Sequence, residues 1–238
     1  MVLALGTALA ALGYGLAGVS GGLFALCTAL VLSGAGSSTQ HPIASAAVSR
    51  AYGPASRGPL GTYNFSGDLG KAAIPALTSL LLTLMPWRHA LWILALLGLA
   101  VALGVAVLMP PIGRPEAGVP GRAARGGGRG FPLLLTIGVL DTGVRMGLLT
   151  FLPFLLKAKG ASLPTVGVAL ALVFLGGAAG KFACGWLGAR VGVLRTVLIT
   201  EGGTAACILA LLALPLVPTL PLLPLLGLML NGTSSVLY

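Results

Sequence analysis

Apolar stretches of membrane-crossing length follow one another along almost the entire chain. A transmembrane helix needs about 20 consecutive, mostly apolar residues, and eight stretches meet that requirement. Only 8% of the residues are charged, against about 25% in soluble domains, which excludes a soluble globular fold. The sequence therefore predicts an all-α polytopic membrane protein. Its eight predicted transmembrane helices cover residues 2–19, 22–48, 61–84, 90–109, 131–156, 164–187, 193–214 and 220–238.

One connection between the predicted helices is unlike the others. Residues 110–130 are rich in proline, glycine and arginine and are too polar to span a membrane. This segment divides the helices four and four. We therefore expect an N-terminal half over residues 1–109, a linker over residues 110–130 and a C-terminal half over residues 131–238.

The distribution of basic residues predicts the orientation in the membrane. Cytoplasmic loops carry an excess of lysine and arginine. If the linker is cytoplasmic, eight basic residues face the cytoplasm and three face the opposite side, namely Arg88, Lys157 and Lys159. We therefore expect a multi-pass protein of a prokaryotic inner (plasma) membrane, also because no targeting sequence is recognisable. The eight cytoplasmic residues are Arg50, Arg57, Arg114, Arg122, Arg125, Arg129, Arg190 and Arg195.

Both chain ends lie directly against apolar spans, at Met1 and Tyr238. We expect that the chain is truncated at both ends; the alternative is a compact eight-helix unit.

Ionisable residues inside the third predicted span need an explanation, because each costs about 2.5–3.5 kcal/mol at the bilayer centre. Asp68 and Lys71 are three residues apart, so they share a helix face and can neutralise each other. Asn64 precedes them on the same span. Two interpretations stay open: a polar element beside a substrate or proton pathway, or a structural ion pair between helices.

A second charged pair lies in the fifth predicted span, where Asp141 and Arg145 are four residues apart. Glu201, in the seventh span, has no obvious partner nearby in the sequence. It is therefore a candidate proton site, or it pairs with a base on another helix. We interpret Asp141 and Arg145 as a coupling or substrate-contact pair, with a buried structural pair as the alternative.

Two further polar residues are candidates for the pathway. His41 follows a run of small and hydroxylated residues and precedes Pro42. A buried histidine is often only hydrogen-bonded, but here we expect it to line a polar cavity. Asn231 begins a polar segment in the last span, and its match to a glycosylation sequon is interpreted as chance because it lies in an apolar helix.

Several function classes find no support in the sequence. The net charge of +10 comes from basic residues at helix ends, with no basic face for nucleic acid. No nucleotide-binding loop and no zinc-protease motif occur, so an ATP-driven pump is excluded and an intramembrane enzyme using His41 and Asp68 lacks a nucleophile arrangement. The GxSxG match at residues 18–22 joins two apolar stretches and is interpreted as a turn. We predict no cofactor, no metal site and no enzymatic activity.

The segment after the sixth predicted span reads GWLGARVG, residues 185–192. It resembles the cytoplasmic signature G-x-L-x-D-R-x-G of the major facilitator superfamily. In that family its arginine latches the inward-facing gate, so the resemblance implies a cytoplasmic gate loop here. Ala189 stands where the family has aspartate, which removes one part of that latch. The gate residues implied are Gly185, Gly188, Arg190 and Gly192.

Four longer segments narrow the resemblance. They read GSSTQHPIASA (36–46), YNFSGDLGKAAIP (63–75), TFLPFLL (150–156) and GGAAGKFACGWLG (176–188). These segments look like the fosmidomycin-resistance-type transporters of the superfamily. The eight spans would then correspond to helices 3–10 of its twelve-helix fold, in which two six-helix halves rock about a central site.

The resemblance implies a secondary active transporter that works by alternating access. We expect proton-coupled efflux of a drug-like or small polar solute, that is, an antiporter of the drug-resistance type. The alternatives are a nutrient or organic-anion importer of the same superfamily and a truncated fragment that does not transport. The expected partners are a small-molecule substrate, protons as coupling ion and the lipid bilayer, but no nucleic acid; the oligomeric state stays open. The candidate pathway residues are Asp141, Arg145, Glu201, His41, Asp68, Asn64, Lys71 and Asn231.

Overall fold

The computed structural model describes residues 1–109 and 130–230. Within these two ranges every regular element is a helix, and no strand occurs. A short 3₁₀ helix, Gly53–Ala55, separates α3 from α4. The α-helices are α1 (Val2–Val19), α2 (Leu23–Ser38), α3 (Gln40–Tyr52), α4 (Arg57–Leu84), α5 (Trp87–Leu108), α6 (Gly130–Ala158), α7 (Leu163–Val191), α8 (Val193–Ala213) and α9 (Leu216–Leu230).

The predicted fold class, an all-α polytopic membrane protein, is confirmed. Six helical segments are long and apolar enough to cross a membrane, with α2 and α3 counted as one span, Leu23–Tyr52. The helices outside this group are α4, which carries several charged residues, and α9, of which 15 residues are described. Large apolar side chains also remain exposed along the helices, as lipid contact requires. The predicted linker lies outside the described residues except for Gly130, so the division into halves stays a prediction.

The second predicted span is not one continuous helix. It breaks at Thr39, between α2 and α3. Pro42 explains the break, because proline has no N–H for the carbonyl four residues earlier and its ring clashes with that carbonyl. The hydroxyls of Ser37, Ser38 and Thr39 donate to carbonyls three residues earlier on their own helix. The run of hydroxylated residues therefore satisfies backbone acceptors at the break.

The first compact unit contains described residues 1–66 and 81–109. Its centre is α1, which packs against both α2 and α5 through buried alanines and glycines. A Cβ added to Gly13 would lie 2.6 Å from Ser33 Cβ and 2.7 Å from the Ala29 carbonyl oxygen. Small residues are therefore required where these helices cross, as is common in membrane proteins.

The second unit contains residues 67–80 and the described residues from 130 onward. Its core joins α6 to α9 through fully buried leucines such as Leu152, Leu156 and Leu211. Helices α7 and α9 are in extensive contact. At their crossing a Cβ on Gly227 would collide with the Val173 carbonyl and lie 3.0 Å from the Gly177 nitrogen.

Gly227→Ala should therefore destabilise the second unit. Overpacking at a close helix crossing costs about 1–3 kcal/mol, because α9 must move away from α7 to admit the methyl group. Unfolding of the purified protein in detergent micelles measures the loss. Gly202→Ala is the matched control, since a Cβ there meets nothing within 4 Å; equal stability of the two variants would contradict the packing argument.

Candidate functional site

The second unit contains a buried carboxylate that contacts two lysines. The Asp68 side chain, on α4, is 8% exposed. Its Oδ1 accepts a hydrogen bond from Lys71 Nζ at 3.2 Å, and its Oδ2 accepts one from Lys181 Nζ at 2.5 Å. The predicted pairing of Asp68 with Lys71 along one helix face is therefore confirmed.

Lys181, on α7, was not among the predicted pathway residues. It lies 113 positions from Asp68 in the sequence, so no helical spacing connects the two. The only sequence signal was its position as a lone lysine inside an apolar span, where an ionisable residue needs a partner. The fold supplies that partner from α4.

The second charged group combines two predicted elements. Asp141 and Arg145 are both half-buried on α6, and Glu201 lies on α8. The charges of Arg145 and Glu201 both act on the Asp141 carboxylate. Glu201, which had no neighbour in the sequence, is thus brought near a second carboxylate and its arginine.

His41 and Asn64 lie in the first unit. The His41 ring stacks on Tyr63 with ring centroids 5.8 Å apart, and its Nδ1 is 3.5 Å from the Tyr63 hydroxyl oxygen. That distance is at the weak limit of hydrogen bonding. Asn64 is the next residue on α4 and is half-buried. His41 is exposed and has a polar neighbour, but whether it lines a substrate pathway stays a prediction.

The predicted gate loop is helical in the structure. Gly185, Gly188 and Arg190 belong to the last turns of α7, which ends at Val191, and Gly192 alone connects α7 to α8. The expected loop is wrong in this respect because the glycines do not interrupt the hydrogen bonds of α7. Arg190 lies over the Trp186 ring, 4.3 Å from its centroid. One turn of helix separates the two residues, so the arginine is held by a cation–π contact.

Gly192→Ala should destabilise the connection between α7 and α8. Gly192 has φ 88° and ψ 156°, a conformation that is open almost exclusively to glycine and costs other residues about 1–3 kcal/mol. Thermal unfolding in detergent should therefore show a lower transition temperature for this variant. Gly104→Ala in α5, where a Cβ would meet nothing within 4 Å, should leave the transition unchanged. An unaffected Gly192→Ala variant would show that the turn can relax to another conformation.

Two basic residues stabilise helix ends opposite the predicted cytoplasmic side. Arg88 Nη2 donates to the Ser20 carbonyl at 2.9 Å, and its guanidinium lies over the Trp87 ring. Lys159 Nζ donates to the Leu214 carbonyl at the end of α8.

The turn predicted at residues 18–22 is confirmed by the end of α1 at Val19 and the start of α2 at Leu23.

A cavity of about 640 Å³ lies in the first unit among α1, α3 and α5. Its lining is apolar, with residues such as Pro42, Ile43 and Ala106, apart from Arg50. None of the described candidate pathway residues lines it. Within the described ranges no three His, Cys, Asp or Glu side chains come together as a metal site would require.

The structure thus arranges the candidates in three sets. Asp68 and Lys71 are joined by Lys181; Asp141 and Arg145 are joined by Glu201; His41 is joined by Tyr63. Asn231 lies outside the described residues.

The chain matches a known protein family along its length. The family model described as Major Facilitator Superfamily matches residues 1–238. No curated protein and no solved structure matches the chain.

Proposed function

Because the chain belongs to the Major Facilitator Superfamily, we propose that it is a secondary active transporter that couples efflux of a drug-like or small polar solute to proton entry. The family and the apolar helices make the chain a multi-pass membrane transporter for a small molecule. Alternating access, proton coupling and the outward direction are the proposed parts. We place the protein in the inner membrane of a prokaryote, with residues 110–130 in the cytoplasm.

The observation that carries proton coupling is the set formed by Asp141, Arg145 and Glu201. Ionisable residues inside transmembrane helices are costly and often form proton relays. The charges of Arg145 and Glu201 both act on the Asp141 carboxylate, so binding of a proton at Asp141 changes the net charge of the set by one unit. A solute or a conformational change that favours one charge state would thereby couple to proton binding.

The outward direction is supported by the resemblance of four segments to fosmidomycin-resistance-type transporters, including GSSTQHPIASA at residues 36–46. The runner-up is a nutrient or organic-anion importer of the same superfamily. Both activities use the same fold, so the direction of transport has to be measured.

Everted membrane vesicles provide that measurement. Candidate solutes are first chosen as those whose toxicity to a drug-sensitive bacterial host is reduced by expression of the chain. An exporter accumulates such a solute in respiring everted vesicles and loses it when a protonophore is added. Accumulation only in right-side-out vesicles would identify an importer, and equality with vesicles lacking the chain would refute transport.

A further inference from the structure

The group around Asp68 contains one more positive charge than it can neutralise. Each lysine ammonium carries three N–H donors, and one from each reaches a different oxygen of the same carboxylate. One carboxylate balances one of the two ammonium charges. The group therefore has a net charge of +1 when all three side chains are ionised.

The two cations are more accessible than the carboxylate between them. The Lys71 side chain is 59% exposed and the Lys181 side chain is 32% exposed, whereas Asp68 is 8% exposed. Part of each lysine side chain therefore stays open to contact by an incoming group while Asp68 remains in place. Asp68 holds both ammonium groups beside one carboxylate.

The surrounding charges do not remove the excess. Apart from Asp68, the acidic residues of the described chain are Asp141 and Glu201, and the ion pairs that Lys71 and Lys181 form within the described residues are those with Asp68. An uncompensated ammonium group among apolar helices is costly. An anion that supplies the missing negative charge and accepts the remaining N–H donors would lower that cost.

We propose that Lys71 and Lys181, held by Asp68, bind an anionic group of the transported solute, a carboxylate or a phosphate-type group. This inference rests on the proposed transport function and specifies the chemistry of its substrate. Lys181 becomes a substrate-binding residue, and Asp68 becomes a positioning residue that limits how tightly the anion is held.

Binding of matched small probes tests the site. The purified full chain, in nanodiscs of zwitterionic lipid, is titrated with phenyl phosphate, benzoate, benzamide and benzylamine while thermal unfolding is followed. The two anions should raise the transition temperature, and the neutral and cationic probes should not. Lys181→Gln should weaken anion binding roughly tenfold or more, the range expected for a charged hydrogen bond. Lys181→Arg should largely restore it.

Asp68→Asn distinguishes an anion site from a structural ion pair, because it changes binding in the opposite direction. Removal of the competing carboxylate leaves two ammonium groups, so the anion should bind more tightly and recover part of the stability that the substitution loses. A purely structural pair predicts lower stability without any anion dependence, and that result would overturn the proposal. Lys157→Gln, at the end of α6, is the matched control and should bind the anions as the unchanged chain does.

Two further measurements show whether a negative result contradicts the anion site or the transport function. If anionic lipid stabilises the protein through Lys181 and the soluble anions do not, the site holds a headgroup and the solute proposal is wrong. Solute accumulation in everted vesicles tests transport independently. If the vesicles accumulate neutral or cationic solutes and Lys181→Gln leaves this accumulation unchanged, the transport function is supported. That result would overturn the anion site alone.

Discussion

Asp141→Asn should reduce proton-driven solute accumulation roughly tenfold or more, since a proton relay inside a membrane depends on its ionisable group. Asparagine keeps the size of the side chain, but its amide does not bind or release a proton near neutral pH. Arg145 and Glu201 would then act on a neutral group. Residue 141 would no longer change its charge during transport. The measurement is accumulation of a radiolabelled solute in everted vesicles with matched amounts of protein.

Exchange of solute in the absence of a proton gradient separates coupling from folding. Asp141→Asn should retain such exchange if the solute site and the conformational change are intact. Glu116→Gln is the matched control, because it removes one carboxylate from the predicted linker outside the spans. Full proton-driven accumulation by Asp141→Asn would contradict the coupling role, and loss of exchange as well would assign Asp141 to solute binding or folding.

Asp68→Asn should lower the free energy of unfolding by about 3 kcal/mol in buffer without a binding anion, as removal of one partner of a buried ion pair does. Two ammonium groups then lose their shared carboxylate. Lys71→Gln should cost less than about 1 kcal/mol, because an exposed pair contributes little. These differences are measured by unfolding the protein in mixed micelles that contain an increasing fraction of a denaturing detergent.

The pairing with Lys181 is tested by a double-mutant cycle. Asp68→Asn combined with Lys181→Gln should cost less than the sum of the two single changes, with a coupling of about 1–3 kcal/mol. Asp68→Asn combined with Lys157→Gln should be additive. Additivity in both combinations would contradict a direct contact between Asp68 and Lys181.

The spans were predictable because each of them consists of consecutive, mostly apolar residues. Helix α1 has the predicted bounds, and α5 differs from its predicted span by a few residues at its start. The break at Thr39 was missed because the apolar pattern of residues 22–48 continues through it, although Pro42 was the available signal. The helical gate segment was missed because the resemblance implied a loop over residues 185–192, whereas all of these residues but Gly192 lie within α7.

The candidate site was predictable only within single helices. Asp68 and Lys71 could be paired because three residues along a helix bring side chains to one face. Lys181 and Glu201 find their neighbours on other helices, and those contacts depend on tertiary packing that no short spacing encodes. The long-range partners are therefore the part that required the structure.

Proton movement in reconstituted liposomes tests the central claim most directly. Purified protein is incorporated into liposomes that contain a pH-sensitive dye, and a gradient of a solute identified in the host assay is imposed without a pH gradient. The account predicts that solute entering the liposomes drives protons out, that the internal pH rises, and that Asp141→Asn abolishes the change. Solute entry that moves no protons, or that carries protons inward with the solute, would contradict proton-coupled efflux.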